Sequence, residues 1–168
     1  MTAQRPEVLL HCGKQLDMHS LPLWHFPNPP TSCVFHAPST ALWRGYIGTW
    51  AIQNSRLYLI KLKAWVKNGD TMTEVGLEAL FPNSHDGVFA DWFTGVLRCP
   101  SGAVVKQECG VHECTFEKDL FLRMERGVFL EEWEVVNGVA QAESEPGCKI
   151  EAIVDLPYAR QDSIDWSD

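Results

Sequence analysis

Two adjoining runs constrain this chain more than any other feature. Residues 41–52 (ALWRGYIGTWAI) and 56–66 (RLYLIKLKAWV) are rich in aromatic and β-branched side chains and are joined by Gln53-Asn54-Ser55. Such runs around a short polar turn predict a β-hairpin, which sets the fold class. The first run also holds a cation, Arg44, among apolar and aromatic neighbours. A guanidinium in such surroundings requires a partner, so Arg44 is the first residue to question.

Other stretches repeat the pattern. Residues 8–12 and 15–18 around Gly13-Lys14 predict a short opening hairpin. Residues 116–124 and 128–136 around Glu125-Arg126-Gly127 predict a half-buried one, with Gly127 where φ is positive. There Leu120, Leu122 and Met124 alternate with Asp119, Arg123 and Glu125, broken by Phe121. On the return Phe129, Trp133 and Val135 alternate with Glu132 and Glu134. Residues 88–97 are apolar on both faces, as expected of a strand covered on both sides, and Pro100-Ser101-Gly102 reads as a turn. Leu77, Leu80 and Phe81 before Pro82 predict one or two helical turns, and Ile150, Ala152, Val154 and Leu156 a last strand. Residues 19–40 hold five of the ten prolines and read as an extended connection, a candidate lid, pinned by Trp24, Phe26 and Phe35. The expected fold is mainly β: an antiparallel β-sandwich or small barrel with little helix. It forms one domain over residues 1–160 with an acidic tail over 161–168.

Net charge is −8 and unevenly spread. Residues 1–107 carry nine Lys/Arg against seven Asp/Glu, and residues 108–168 five against fifteen. An acidic half repels phosphate backbones and argues against nucleic acid, while it attracts a basic protein partner. The ordinary reading of the same charge is solubility. No run approaches membrane-spanning length and the amino terminus lacks an apolar leader core, so a cytoplasmic location is expected, with the six cysteines reduced.

The blocks TALWRGY (40–46), RLYL (56–59), LFP (80–82), FADWFTG (89–95) and EKDL (117–120) resemble, in this order, a family of small uncharacterised bacterial proteins. The resemblance covers roughly residues 15–136. It implies a bacterial single-domain protein and no known activity.

Candidate chemistry is sparse. Asp91 lies between Phe89 and Phe93 in the pattern, and a buried carboxylate and guanidinium usually find each other. The structural reading is one ion pair, Arg44 with Asp91. The functional reading places Arg44 at the floor of a pocket that clamps an anionic ligand, with Tyr46, Trp50, Tyr58, Asp91 and Trp92 around it. Cys99, Cys109, His112 and Cys114 could supply four zinc ligands, but no Cys-x-x-Cys pair exists, and the expectation is no metal and no cofactor. Glu117 and Asp119 share a strand face about 7 Å apart and read as solvated rather than as an acid–base pair. His85-Asp86 reads as a loop pair. Phosphate-binding, dinucleotide and nucleophile-elbow motifs are absent. Three readings follow: a non-catalytic protein-interaction or ligand-binding module, a small-molecule enzyme or binder around Arg44 and Asp91, and a zinc-stabilised domain. The first is preferred, and homodimerisation through a sheet edge stays open.

Overall fold

The computed structural model describes residues 3–30, 33–107 and 114–139. Nine strands follow in chain order: β1 (Glu7–His11), β2 (Lys14–Met18), β3 (Tyr46–Gln53), β4 (Arg56–Asn68), β5 (Thr71–Val75), β6 (Val88–Phe89), β7 (Gly95–Gln107), β8 (Cys114–Glu125) and β9 (Val128–Val136). Two 3-10 turns, Pro22–His25 and Leu77–Ala79, supply the helical content of the described residues. Among the described residues no helix is long and apolar enough to cross a membrane.

The three expected hairpins form, the first turning at Cys12-Gly13 rather than at Gly13-Lys14, since Lys14 already pairs with His11, and their turns share one physical cause. Each has two central residues with positive φ: Cys12 and Gly13 (51° and 72°), Asn54 and Ser55 (50° and 59°), Arg126 and Gly127 (48° and 77°). That backbone matches the right-handed twist of the flanking strands, whereas negative-φ turns would splay them. Gly127 is needed twice over, because a Cβ there would come within 2.5 Å of the Ala90 carbonyl oxygen.

The strands form one sheet in the order β2-β1-β3-β4-β9-β8-β7, with β5 and β6 also pairing with β4. It is mostly antiparallel, but β1 and β3 run parallel, Leu9 opposite Trp50, so the sheet is mixed. Residues 19–45 make this possible by carrying the chain across to β1's open side. Phe26, against Phe81 and Trp92, and Phe35, against Tyr46 and bridged to Val66, pin that connection; Trp24 is half exposed. The sheet is not closed into a barrel. β9 meets β4 at the single rung Arg56–Val128. At the far ends of the path the His19 amide donates to the Arg98 carbonyl (2.9 Å).

Bulges set the phase of two strands, and in β9 they correct the expected alternation. Trp50 pairs with Leu59 and Thr49 with Lys61, leaving Ile60 extra. The phase of β4 shifts there, so Leu57, Leu59, Leu62 and Ala64 all enter the core while Lys61 and Lys63 stay outside. In β9, Arg123 pairs with Glu131 and Met124 with Phe129, leaving Leu130 extra. Phe129 therefore packs on the core while Trp133 stacks on Phe121 (5.6 Å, 21°) away from it. The expected strand over residues 88–97 is instead β6, a turn, and the start of β7; the Ala90 amide donates to Leu57 and the Phe93 amide to Ala90. Conversely, β7 runs through Pro100 to Gln107, with an irregularity between Ser101 and Val104. Proline is tolerated there because β7 lies at the end of the strand order. The last strand expected near residues 150–156 and the tail 161–168 lie outside the described residues.

The core joins both ends of the sheet path: Leu9, Met18, Trp50, Leu57, Leu59, Leu97, Leu122 and Met124 are all essentially inaccessible. Burial of side chains this large, at about 1.5–3 kcal/mol each, is the main force holding the sheet together.

Candidate functional site

Arg44 is buried as expected, but its partner is Glu7 rather than Asp91. Glu7 opens β1, and the parallel β1–β3 ladder carries its side chain against the start of β3. Arg44 Nη2 and Nε donate to Glu7 Oε1 at 2.8 and 3.1 Å, and Arg44 Nη1 donates to the Arg5 carbonyl at 2.8 Å. The Gly48 amide (3.0 Å) and Trp50 Nε1 (2.9 Å) donate to Glu7 Oε2. A Cβ on Gly48 would collide with that carboxylate, so glycine is required for the approach. Side-chain exposure is 3% for Arg44 and 0% for Glu7, which leaves no face of the pair for a ligand. Burial pushes the Glu7 carboxyl up from its ordinary range, and Arg44 and the other donors pull against it.

The other expected residues divide. Tyr46 lies beside Arg44, the guanidinium carbon 5.3 Å from the ring centre. Its hydroxyl is buried and has no hydrogen-bond partner among the described residues, and burial followed by the Glu7 charge pushes the phenol up. Trp50 is fully buried against Trp92 (6.5 Å between ring centres), and Trp92 Nε1 donates to the Pro22 carbonyl at 2.8 Å. Tyr58 faces the other side of β4, against Phe89, and Asp91 is exposed. Arg44, Tyr46, Trp50 and Trp92 thus come together; Tyr58 and Asp91 do not join them. The cluster is a saturated ion pair under aromatic cover, with no free acid or base for chemistry.

Two further polar groupings escaped sequence reasoning. Arg98 on β7 donates from Nε to Asp119 Oδ1 (2.9 Å), and Asn137 Nδ2 donates to Asp119 Oδ2 (2.7 Å). The Arg98 amide donates to Ser20 Oγ (2.8 Å). Asp119 is therefore buried rather than solvated, while Glu117 accepts from the Ala103 amide (3.1 Å). The available signal was Arg98 itself, a cation within an apolar run like Arg44. His19 packs edge-on against Phe116 (5.7 Å), and burial, then the Arg98 charge, lowers its pKa. At the β1–β2 turn, His11 Nε2 lies 2.7 Å from Glu132 Oε2 and 3.5 Å from Cys12 Sγ. Both contacts fall on one nitrogen, so the imidazole cannot pass a proton between thiol and carboxylate through its two ring positions.

Among the described residues no group of three His, Cys, Asp or Glu is placed to hold a metal. Cys99 is buried opposite Leu120, with its thiol pushed up to about 12, chiefly by burial, and Cys114 stands opposite Gln107. Cys109 and His112 lie outside the described residues. His85 and Asp86 are loop residues. Against protein-family models, curated proteins and solved structures, the chain has no match.

Proposed function

We propose that this protein is a non-catalytic binding module of the cytoplasm that engages a basic protein partner through the acidic residues of its C-terminal part. The distribution of charge carries this reading. The described residues hold twelve Lys/Arg against thirteen Asp/Glu, whereas residues 140–168 hold seven Asp/Glu against two Lys/Arg. Of the three exposed glutamates of β9, Glu131 pairs with Arg123 and Glu134 with Lys118, while Glu132 lies against His11. Saturation of Arg44 by Glu7 leaves no free cation there for an anionic ligand, which favours an interaction module over a pocket enzyme. The unbridged thiols Cys12, Cys33, Cys99 and Cys114 agree with a reducing compartment.

The test is titration of the full chain with an oligolysine peptide while salt rises from about 0.05 to about 0.5 M. A stoichiometric complex that weakens steeply with salt, and that is lost on neutralising Glu143, Glu145, Glu151 and Asp155 to amides, is expected. Binding indifferent to those substitutions would sink the reading. A second reading, a small-molecule binder beside Arg44, is favoured by the orphan Tyr46 hydroxyl. Native mass spectrometry decides it: a bound organic mass lost in Tyr46→Phe supports it, and a bare protein mass removes it.

A further inference from the structure

We propose that the outward face of β4 is the docking surface for residues 140–168 of the same chain. The acidic segment assigned above to a partner would then rest on the protein's own body until a basic partner competes for it. The consequence for partner binding rests on the proposed function; the docking itself does not.

The bulge at Ile60 builds this face. It leaves Arg56, Tyr58, Lys61, Lys63, Trp65 and Lys67 pointing away from the core along one strand. The four cations are exposed, and among the described residues Lys61 and Lys67 make no ion pair. Lys63 lies 3.4 Å from Glu74 and 5.5 Å from the centre of the Trp65 ring, and Arg56 lies 5.4 Å from that of Phe89. The rung partners sharing this face are Ile47, Thr49, Ala51 and Gln53 on β3, Met72 and Glu74 on β5, Phe89 on β6 and Val128 on β9, which together bring one carboxylate. Four cations with half-buried aromatics between them thus face outward with little neutralisation.

Charge and reach name the occupant. Residues 140–168 carry seven carboxylates against two cations, a denser negative charge than residues 1–139, with fifteen against twelve. Twenty-nine residues extend to roughly 95 Å, while β4 spans about 40 Å, so the tether does not limit contact. Attachment to the same chain raises the effective concentration to the millimolar range, where even weak exposed ion pairs populate the docked state. A stripe of cations and aromatics also suits single-stranded nucleic acid, but a tethered acidic segment and a net charge of −8 both work against it.

The segment carries its own reporters, because trypsin cleaves after Lys149 and Arg160. The measurement is the rate of those two cleavages in the full chain and in the triple variant Lys61→Gln, Lys63→Gln, Lys67→Gln, whose changes are all at exposed positions. Docking predicts cleavage roughly tenfold faster in the variant, since each lost exposed pair is worth a factor of a few, with raised salt having the same effect on the native sequence. Equal rates in both proteins would overturn the proposal, whatever oligolysine binding shows. Rates that fall with rising protein concentration would place the segment on a second copy and overturn the intramolecular assignment. Tight binding of a thymidine oligonucleotide that leaves the cleavage rates unchanged would give the face to nucleic acid instead.

Discussion

Arg44 and Arg98 are both cations set in apolar sequence, and they solve burial differently. Arg44 takes a carboxylate 37 residues away, delivered by the parallel β1–β3 ladder, and the pair is sealed. Arg98 takes Asp119, two rungs from its own position in the β7–β8 hairpin, with 17% and 8% of the two side chains still exposed. A sealed pair is an all-or-none commitment of the core, since neither charge can turn to water if the other is lost. The hairpin pair keeps some solvent and a third member in Asn137, so it has somewhere to relax.

The largest effect should follow from cutting the sealed pair. Glu7→Gln is expected to cost about 3–5 kcal/mol in chemical denaturation by leaving Arg44 uncompensated. The double replacement Glu7→Met with Arg44→Met should recover part of that loss. A cost below that of Asp119→Asn would break the comparison. Asp119→Asn is expected to cost about 1.5–3 kcal/mol, the range for hydrogen bonds to charged groups.

Acidification sharpens the contrast through His19, which adjoins the Arg98 pair. Its pKa in the fold lies below the unfolded 6.5, because of burial and then the Arg98 charge. The unfolded chain therefore binds the proton more readily. The stability this contributes is present above pH 6.5 and is lost as pH falls through the lower folded value. The denaturation midpoint should drop more between pH 7 and about pH 5 in the native sequence than in His19→Asn. Equal drops would remove His19 from the account. The smallest effect is on thiols: Cys12, exposed at the first turn, should alkylate readily, while buried Cys99, with its thiol pushed up to about 12, should react only on unfolding.

Much of the fold was legible because its signals are local. Asn54-Ser55 and Arg126-Gly127 sit where the strand patterns break, and their positive φ follows from the twist they must match. The bulges were less legible. Ile60 shifts the phase of β4 and Leu130 that of β9, and only the opposing strand shows which residue is extra. The candidate site was half legible. Arg44 among aromatics announces a buried cation, yet Asp91 lies within the stronger apolar pattern, whereas Glu7 sits in a short strand with no mark of burial.

Local chemistry alone determined the β class, the three hairpins with the turn residues Asn54-Ser55 and Arg126-Gly127, and the burial of Arg44. Tertiary structure decided which carboxylate neutralises it, which side of β4 faces solvent, and that Asp119 is held rather than hydrated. The physical reason is range. Turn geometry and side-chain alternation act over a few residues and are written in the order of the chain. A charge partner is chosen by which strands become neighbours, and the parallel contact of β1 with β3 across residues 19–45 has no local signature.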